Sequence, residues 1–202
     1  FIDSKAKICA EIFLTVSHCL LANCHPDKVK KIYSNPQVFG QCRIWLRNNY
    51  PRAELIEVSS TAKAAEVAAG EQYAAALAGD LAAEIYGLKV LQKAVEDSGR
   101  NETRFLVIGN SSAGKSGDDK SSIIVSVADR VGALYKMLYP FKKCGINLTK
   151  IESRPSKKKA WEYYFFIDFM GHIESEKVVE ALRDLGQHAL FIKHLGSYPR
   201  AK

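Results

Sequence analysis

The sequence lacks the cysteine pattern of a disulfide-stabilised protein. Among its 202 residues there are five cysteines, an odd number without framework spacing, at Cys9, Cys19, Cys24, Cys42 and Cys144. Histidines stand next to two of them, at His18 and His25, but this spacing matches no common zinc motif. We therefore expect reduced thiols in a cytoplasmic protein, and no metal site.

Long apolar runs and dense charge are also missing. The most apolar segment, residues 8–22, contains Glu11 and His18; it is too short to span a membrane and does not resemble a secretory signal. Lys and Arg outnumber Asp and Glu by 29 to 22, which gives a net charge of +7. The basic residues are scattered except at Lys157–Lys159, which we place at a hairpin tip. This distribution favours a solvated basic surface over a nucleic-acid or membrane interface.

One motif indicates a phosphate-binding loop, but its surroundings do not. Residues 109–116, GNSSAGKS, match the pattern G-x-x-x-x-G-K-[ST], whose function requires a helix that begins at the Lys-Ser pair. The sequence continues as GDDKSSIIVSV, which predicts a strand instead. We interpret the motif as a chance match within a small-residue linker over residues 110–120.

The first 109 residues alternate strand patterns with helix patterns. Strands are predicted within residues 8–22, 53–60, 73–78 and 104–109, the last of them buried. Helices are predicted over residues 36–49, 61–70 and 81–96, the first two capped by Asn35 and Ser60. The alternation predicts an α/β domain over residues 1–109.

Residues 121–202 follow a different order. The patterns run strand, helix, strand, strand, helix, strand, with Gly145 closing the first helix and Ser175 capping the second. This βαββαβ order predicts a ferredoxin-like domain over residues 121–202. RNA-recognition domains share the order, but the third strand lacks their basic-Gly-aromatic core motif. Salt-sensitive RNA binding would favour that alternative.

Apolar side chains occupy both faces of one predicted strand, residues 160–171 (AWEYYFFIDFMG). Alternation places one set, Trp161, Tyr163, Phe165, Ile167 and Phe169, on one face, and the other set, Tyr164, Phe166 and Met170, on the opposite face. Helices can cover one face, so we expect a partner subunit on the other.

Two candidate site features follow from the residues themselves. The helix starts at Asn35 and at Ser60–Thr61 each follow a strand and attract carboxylates, although ordinary N-caps have the same composition. The triplet of Thr103, Arg104 and Phe105 leads into a strand. A threonine can donate to a leaving oxygen, an arginine can hold a carboxylate and a phenyl ring can exclude water. Alone, the triplet equally suits the plain start of a strand.

Several segments together resemble the prephenate dehydratase family. They are IYSNPQVFGQCRIWL, SSTAKAAEVAAG, LAAEIYGL and the triplet TRF, with GALYKML and IESRPS resembling the two motifs of that family's phenylalanine-sensing ACT domain. The match follows the family's order over nearly the whole chain. It implies an α/β plus α+β fold, in which part of a two-lobed, periplasmic-binding-protein-like catalytic domain, mainly its second lobe, precedes a ferredoxin-like ACT domain.

The resemblance implies a hydro-lyase that converts prephenate to phenylpyruvate, water and carbon dioxide on the route to phenylalanine, without a cofactor. Thr103 carries over as the catalytic residue. A threonine hydroxyl is far too weak an acid to act alone, so we expect it to donate or relay a hydrogen bond to the leaving hydroxyl. The implied substrate-binding residues are Asn35, Gln37, Ser60, Thr61, Arg104 and Phe105.

The resemblance also implies that phenylalanine binds between two ACT domains of a homodimer or homotetramer. The implied effector residues are Gly132, Ala133, Leu134, Asn147, Leu148, Glu152, Ser153, Arg154 and Pro155. Taken singly, these residues would suit simple helix packing or the end of a strand. The alternative function is a phenylalanine-binding regulatory module without turnover.

The opening of the family's catalytic domain has no counterpart in this sequence. The chain begins at Phe1 rather than Met and continues at once into apolar sequence. We therefore expect the natural protein to start earlier, and the upstream residues would decide whether a chorismate mutase domain precedes this one, as in some relatives.

Overall fold

The computed structural model describes residues 1–99, 101–156 and 163–201. The chain divides into two compact units, which we call the α/β unit, Leu14–Thr103, and the antiparallel unit, Phe1–Phe13 with Arg104–Lys202. The domain limits predicted from the sequence, at residues 109 and 121, stay a prediction, since a compact unit need not coincide with a family domain. No described helix has the length and apolar character that a membrane crossing requires.

The α/β unit contains one mixed sheet with helices on both faces. In chain order the elements up to residue 92 are β1 (Lys7–Thr15), β2 (Cys19–Ala22), β3 (Lys31–Ser34), α1 (Pro36–Gln41), α2 (Arg43–Asn49), β4 (Glu54–Glu57), α3 (Thr61–Gly70), β5 (Ala74–Ala78), α4 (Asp80–Tyr86) and β6 (Lys89–Gln92). The strand order is β4-β3-β5-β2-β6. Strand β3 is parallel to β4 and β5, whereas β2 is antiparallel to β5 and β6.

Small residues at the centre of this sheet let helices pack closely on it. Strand β5 has the sequence AAALA and is buried along its whole length. One face packs against α3 through Ala64, Ala65 and Ala68, and the other packs against Val38, Cys42 and Leu46 of α1 and α2. The sequence prediction of an α/β domain is confirmed.

The helix predicted over residues 81–96 is wrong in its second half. Helix α4 ends at Tyr86, because Gly87 adopts a left-handed conformation with φ 66° and closes it. The amide of Leu88 then donates to the carbonyl of Ala83 at 2.9 Å, and the chain turns into β6, which pairs with β2.

The antiparallel unit has the predicted βαββαβ order, and that prediction is confirmed. The elements after residue 101 are β7 (Glu102–Gly109), β8 (Asp119–Val127), α5 (Ala133–Lys143), β9 (Leu148–Pro155), β10 (Tyr163–Met170), α6 (Glu176–Gly186) and β11 (Ala189–Pro199). The first two residues of β7 belong to the α/β unit and the rest of the strand to the antiparallel unit. The four-stranded sheet has the order β11-β8-β10-β9, in which all neighbours are antiparallel. Strand β7 pairs with β1 in a separate two-stranded sheet.

Helices α5 and α6 cover one face of the four-stranded sheet. Met137 and Phe141 of α5 and Leu185 of α6 pack on Ile167 and Phe169 of β10. Phe165 lies on the same side, as the alternation predicts. Trp161 and the predicted hairpin tip Lys157–Lys159 lie outside the described residues.

The opposite face of the sheet is covered by the chain's own N-terminal segment. Ile8 packs there against Ile124, Tyr164 and Tyr198, and each of the four is less than a tenth exposed. The prediction that a partner subunit covers this face is therefore wrong for these residues, because local alternation cannot show that a strand from the start of the chain returns to the sheet. The same cover closes the aromatic face that RNA recognition would use.

The strand predicted at residues 104–109 forms, but it is not buried. Phe105 and Ile108 of β7 are 51% and 48% exposed, and the strand pairs with β1 alone. The apolar run RFLVIG indicated a strand inside a larger sheet. A strand in a two-stranded sheet has fewer neighbours to bury its side chains.

The segment that carries the phosphate-loop pattern contains no helix. The next element after β7 is strand β8, which begins at Asp119, so the described chain has no helix that begins at the Lys-Ser pair. The amides of Ser116 and Gly117 donate to the Asp119 carboxylate at 3.0 and 3.2 Å. These hydrogen bonds, with that from the Ser116 hydroxyl, lower the pKa of Asp119 against its burial. The glycine and serine of the pattern thus serve a local turn.

Replacing Gly196 should destabilise the antiparallel unit. A Cβ atom at Gly196 would lie 2.0 Å from the carbonyl oxygen of Ile8, so Gly196→Ala would force β1 away from the sheet. We expect the free energy of unfolding to fall by about 3 kcal/mol, measured by denaturant titration. Gly186→Ala is the matched control, because no atom lies within 4 Å of its Cβ position. Equal stability of the two variants would contradict this packing.

Acid should destabilise the protein through His194. Burial, with a smaller contribution from the charge of Lys7, lowers the pKa of this imidazole to about 4. The unfolded chain, with an ordinary histidine pKa of about 6.5, binds more protons between these two values. The free energy of unfolding should therefore fall as the pH drops from 6.5 towards 4, by on the order of 2 kcal/mol.

Denaturant titrations at pH 7 and pH 5 would measure this loss of stability. Both pH values lie above the ordinary pKa of carboxyl groups, about 4, so the carboxylates contribute little to the difference. His194→Gln should reduce it, while His25→Gln, at a histidine whose side chain is 68% exposed, should keep it. A wild-type loss in His194→Gln would overturn the assignment.

Candidate functional site

Three helices of the α/β unit begin at the same edge of its sheet. Strands β3, β4 and β5 run parallel, with Ser34 beside Glu57 and Tyr33 beside Ala76. Each leads directly into a helix, α1, α3 or α4. The carboxyl ends of parallel strands meet at one edge, so the fold brings together the predicted substrate residues Asn35, Gln37, Ser60 and Thr61.

The capping side chains at this edge are already used within their own helices. The Asn35 side-chain oxygen accepts from the amide of Val38 at 2.9 Å. The Ser60 hydroxyl accepts from the amide of Lys63 at 3.1 Å. Gln37 is exposed and Thr61 is half-buried. The edge therefore offers helix-start amides, a side-chain amide and a hydroxyl to an anionic ligand.

The triplet TRF is divided between the two faces of β7. Successive side chains in a strand point to opposite faces, so Thr103 and Phe105 share one face and Arg104 takes the other. Thr103 and Phe105 are exposed, whereas the Arg104 side chain is only 20% exposed. Thr103 and Phe105 are thus open to solvent, whereas Arg104 between them is mostly buried.

Arg104 binds three side chains of the antiparallel unit. Its Nε donates to Glu11 of β1 at 2.7 Å, its Nη1 donates to Asp168 of β10, and its Nη2 donates to the Tyr198 hydroxyl of β11 at 2.8 Å. Lys120 of β8 donates to the same Glu11 carboxylate at 2.8 Å. We call these five residues, Glu11, Arg104, Lys120, Asp168 and Tyr198, the buried ion cluster.

The buried ion cluster is balanced in charge. Two carboxylates face two cations, and the Glu11 side chain is fully buried. Burial opposes the charge of Arg104, but its hydrogen bond and ion pair with Asp168 outweigh it and raise the arginine pKa. Burial raises the pKa of Tyr198 to about 12, so the phenol stays protonated. Removing one partner of such a pair leaves an uncompensated buried charge.

A second polar cluster, which no sequence pattern predicted, surrounds His18 in the α/β unit. His18 is 5% exposed, and its Nε2 lies 2.8 Å from the Gln41 side-chain oxygen and 3.4 Å from Asn101 Nδ2. Its Nδ1 has no hydrogen-bond partner within the described chain. Gln41 and Asn101 line a cavity of about 240 Å³ together with Glu96 and Asp97. A single histidine in an apolar run gave no signal of these distant partners.

The predicted effector residues lie on two elements of the antiparallel unit. Gly132 is the N-cap of α5, and Ala133 and Leu134 begin that helix. Asn147 and Leu148 open strand β9, and residues 152–155 close it. Strand β9 is at the edge of the sheet, so one of its edges has no paired strand among the described residues.

Glu152 is held between two cations along β9. Its carboxylate oxygens lie 2.9 Å from Lys150 Nζ and 2.7 Å from Arg154 Nε. The hydrogen bonds to Lys150 and Arg154 lower the pKa of Glu152, which keeps the carboxylate charged at neutral pH. Across the sheet Glu152 pairs with Phe166 of β10.

A separate cavity of the antiparallel unit has a volume of about 630 Å³. It lies between the start of β9, the end of β10 and the start of α6, and Asn147, Met170 and Ser175 line it. The backbone carbonyl of Asn147 also accepts a hydrogen bond from the amide of Met170 in β10 at 2.9 Å. The predicted effector residue Asn147 thus borders an open space.

Comparison with known protein families gives two matches. The model of prephenate dehydratase matches residues 1–113, and the model of the ACT domain matches residues 121–187. The first covers more than half of the chain and includes all the predicted catalytic and substrate-binding residues. The second includes all the predicted effector residues.

Individual relatives agree with the family matches. A bifunctional chorismate mutase/prephenate dehydratase of Aquifex aeolicus is 50% identical over 202 residues, covering 100% of this chain and 56% of the relative. The structure of a prephenate dehydratase from Arthrobacter aurescens in complex with L-Phe has a TM-score of 0.87 and 32% identity, covering 97% of this chain and 67% of that one. GqqA, described as a novel type of quorum quenching acylase, has a TM-score of 0.85 and 29% identity, covering 97% of this chain and 73% of that one. The chain spans about half the length of the first curated relatives it matches.

Proposed function

The chain belongs to the prephenate dehydratase family, and on this premise we propose that it acts as a prephenate dehydratase regulated by phenylalanine. The observation that carries the proposal is the continuous match to the family over residues 1–113, with Thr103 of the TRF triplet inside it. The reaction breaks the bond between the ring and its carboxylate, releasing carbon dioxide. The electron pair enters the ring and expels the ring hydroxyl, which takes up a proton from solvent and leaves as water, and the product is phenylpyruvate.

Thr103 is the proposed catalytic residue. Hydroxide is a poor leaving group, so a hydrogen-bond donor at the departing oxygen stabilises the charge that develops there. The Thr103 hydroxyl is exposed on β7 and can supply that donor. Aromatisation of the ring drives the reaction, so the proposal involves no cofactor and no metal.

Phe105 and the helix starts complete the proposed substrate site. Phe105 lies on the same face of β7 as Thr103 and offers an apolar surface to the ring. The two substrate carboxylates would bind at the edge where Asn35, Gln37, Ser60 and Thr61 stand, because helix starts favour anions. Arg104 is not placed among the residues that contact substrate, since each of its three nitrogens already donates to a residue of the antiparallel unit, namely Glu11, Asp168 and Tyr198.

The proposed effector is free L-phenylalanine, bound between two copies of the antiparallel unit. The start of α5, with Gly132, Ala133 and Leu134, would provide the apolar wall, and Leu134 is 46% exposed. Strand β9 of the other copy would provide the remaining contacts, namely Asn147, Leu148, Glu152, Ser153, Arg154 and Pro155. We accordingly propose a homodimer or homotetramer in the cytoplasm. The five cysteines, all free thiols, are compatible with that compartment.

Replacing Thr103 should slow catalysis without weakening binding. Removing the hydroxyl in Thr103→Ala takes away a donor used mainly in the transition state, so kcat should fall by about 100-fold or more while KM changes little. Steady-state kinetics with prephenate measures both. Thr103→Ser should recover part of the activity, and Thr149→Ala, at an exposed threonine of β9, is the matched control. Near-normal kcat in Thr103→Ala would refute the assignment.

Replacing Glu152 should weaken phenylalanine binding. Glu152→Gln removes the charge that Lys150 and Arg154 hold in place, and we expect the affinity for phenylalanine to fall about tenfold. Isothermal titration calorimetry measures this directly. Glu180→Gln removes an exposed carboxylate that pairs with Lys143 at 3.5 Å, and it should bind as the wild type does. Phenylalanine binding without prephenate turnover in the wild type would instead indicate a regulatory module.

A further inference from the structure

We propose that Arg104 is a positioning residue whose pairing with Asp168 couples the phenylalanine-binding strand β9 to the strand that carries Thr103. The inference rests on the proposed function and extends it, because it assigns a route by which the effector alters turnover. It rests on the contacts of Arg104 with β1, β10 and β11, and on the pairing of β10 with β8 and β9.

The Arg104 guanidinium is fixed in position by its partners. Glu11, Asp168 and Tyr198 bind its three nitrogens from three different strands. A planar guanidinium that is bound at every nitrogen keeps one orientation. It cannot move to solvent alone, because that would leave two buried carboxylates facing the single remaining cation, Lys120.

Asp168 is equally fixed, and it lies in the middle of the sheet. The Asp168 side chain is 9% exposed, and its other oxygen accepts from the Ser122 hydroxyl of β8 at 2.5 Å. Ser122 also lies 2.7 Å from the Tyr198 hydroxyl. The position of Arg104 therefore follows that of β10 and β8.

Strand β9 is bonded directly to the strand that carries Asp168. Lys150 lies opposite Asp168, and Glu152 lies opposite Phe166, two residues from Asp168 on β10. The register between β9 and β10 also shifts between Asp168 and Phe169, and such an irregularity locally disrupts the ladder of hydrogen bonds. A ligand that moves Glu152 or Arg154 thus acts on the backbone beside Asp168.

The last step is covalent. Thr103 is bonded to Arg104 in β7 and points to the opposite face of that strand. A rotation or shift of β7 at Arg104 therefore reorients the Thr103 hydroxyl. Because Arg104 stays bound to its partners, a shift of Asp168 that phenylalanine favours would carry β7 with it.

The test compares Asp168→Asn with the matched control Asp184→Asn. Asp168→Asn keeps the shape of the side chain but removes its charge, whereas Asp184→Asn breaks only the partly exposed pair with Lys143. Prephenate turnover is measured with and without saturating phenylalanine, and phenylalanine affinity is measured by calorimetry. We expect Asp168→Asn to bind phenylalanine with an affinity within about threefold of the wild-type value. The change in turnover that phenylalanine causes should be at least about fivefold smaller than in the wild type.

Asp184→Asn should retain both properties. A merely structural role would change stability or kcat but not the ratio of turnover with and without phenylalanine. A wild-type ratio in Asp168→Asn would overturn the proposal.

A second variant covers the case in which Asp168→Asn does not fold. Arg104→Lys keeps the positive charge beside both carboxylates but replaces the guanidinium fork with a single nitrogen. The effect of phenylalanine on turnover should be smaller than in the wild type, with phenylalanine affinity retained. An unchanged effect in Arg104→Lys would contradict the role of the fork.

Hydrogen exchange separates this proposal from the proposed function. If the wild type failed to turn over prephenate, the proposed function would be refuted, and exchange of the amides of residues 102–106 would still report the coupling. We expect phenylalanine to slow this exchange in the wild type and in Asp184→Asn, but not in Asp168→Asn. An equal response in the wild type and Asp168→Asn, or no response in the wild type, would refute the coupling.

Discussion

The antiparallel unit depends on four charges that must be buried together. Glu11, Arg104, Lys120 and Asp168 come from four different strands, and each neutralises a charge that would otherwise be uncompensated in the interior. Breaking a buried pair by losing one partner costs about 3–5 kcal/mol. This cost explains why residues 1–13, far from the rest in sequence, belong to the same compact unit as residues 104–202. Ile8 adds apolar contacts beside the charges, but the ion pairs determine which residues of neighbouring strands lie together.

The same constraint bears on the register of β1 and β7. The Glu11 carboxylate accepts from both Arg104 and Lys120, so a slip of either strand by one residue would turn a charge to the opposite face. The close approach of Ile8 to Gly196 imposes a second limit on β1. Thr103, the residue that we propose for catalysis, therefore sits in a strand whose register is fixed by charges on its other face.

Patterns in the sequence predicted those parts of the fold that local physics decides. Asn35 and Ser60 do cap their helices, and alternation in β10 does send Ile167 and Phe169 to the helix side. The end of α4 at Gly87 was not predicted, because the apolar residues that follow fit a helix pattern as well as a strand pattern. Glu11 was noted only as a charge within an apolar segment, and no sequence pattern drew attention to Asp168. Their partner Arg104 is 93 and 64 residues away, and no local period carries information over such a separation.

A short motif in a strand need not act as one unit. Strand alternation places the second residue of TRF on the face opposite to the first and third, so the motif joins an exposed pair to a residue that faces the protein interior. Assigning Arg104 to substrate assumes that neighbours in sequence share surroundings, which holds in a loop but fails in an extended strand. The geometry instead gives the motif two tasks: Thr103 and Phe105 face outward, and Arg104 fixes the strand that presents them. A lysine in place of Arg104 would keep the charge but not this fixation, because a single nitrogen cannot bind Glu11, Asp168 and Tyr198 in one plane.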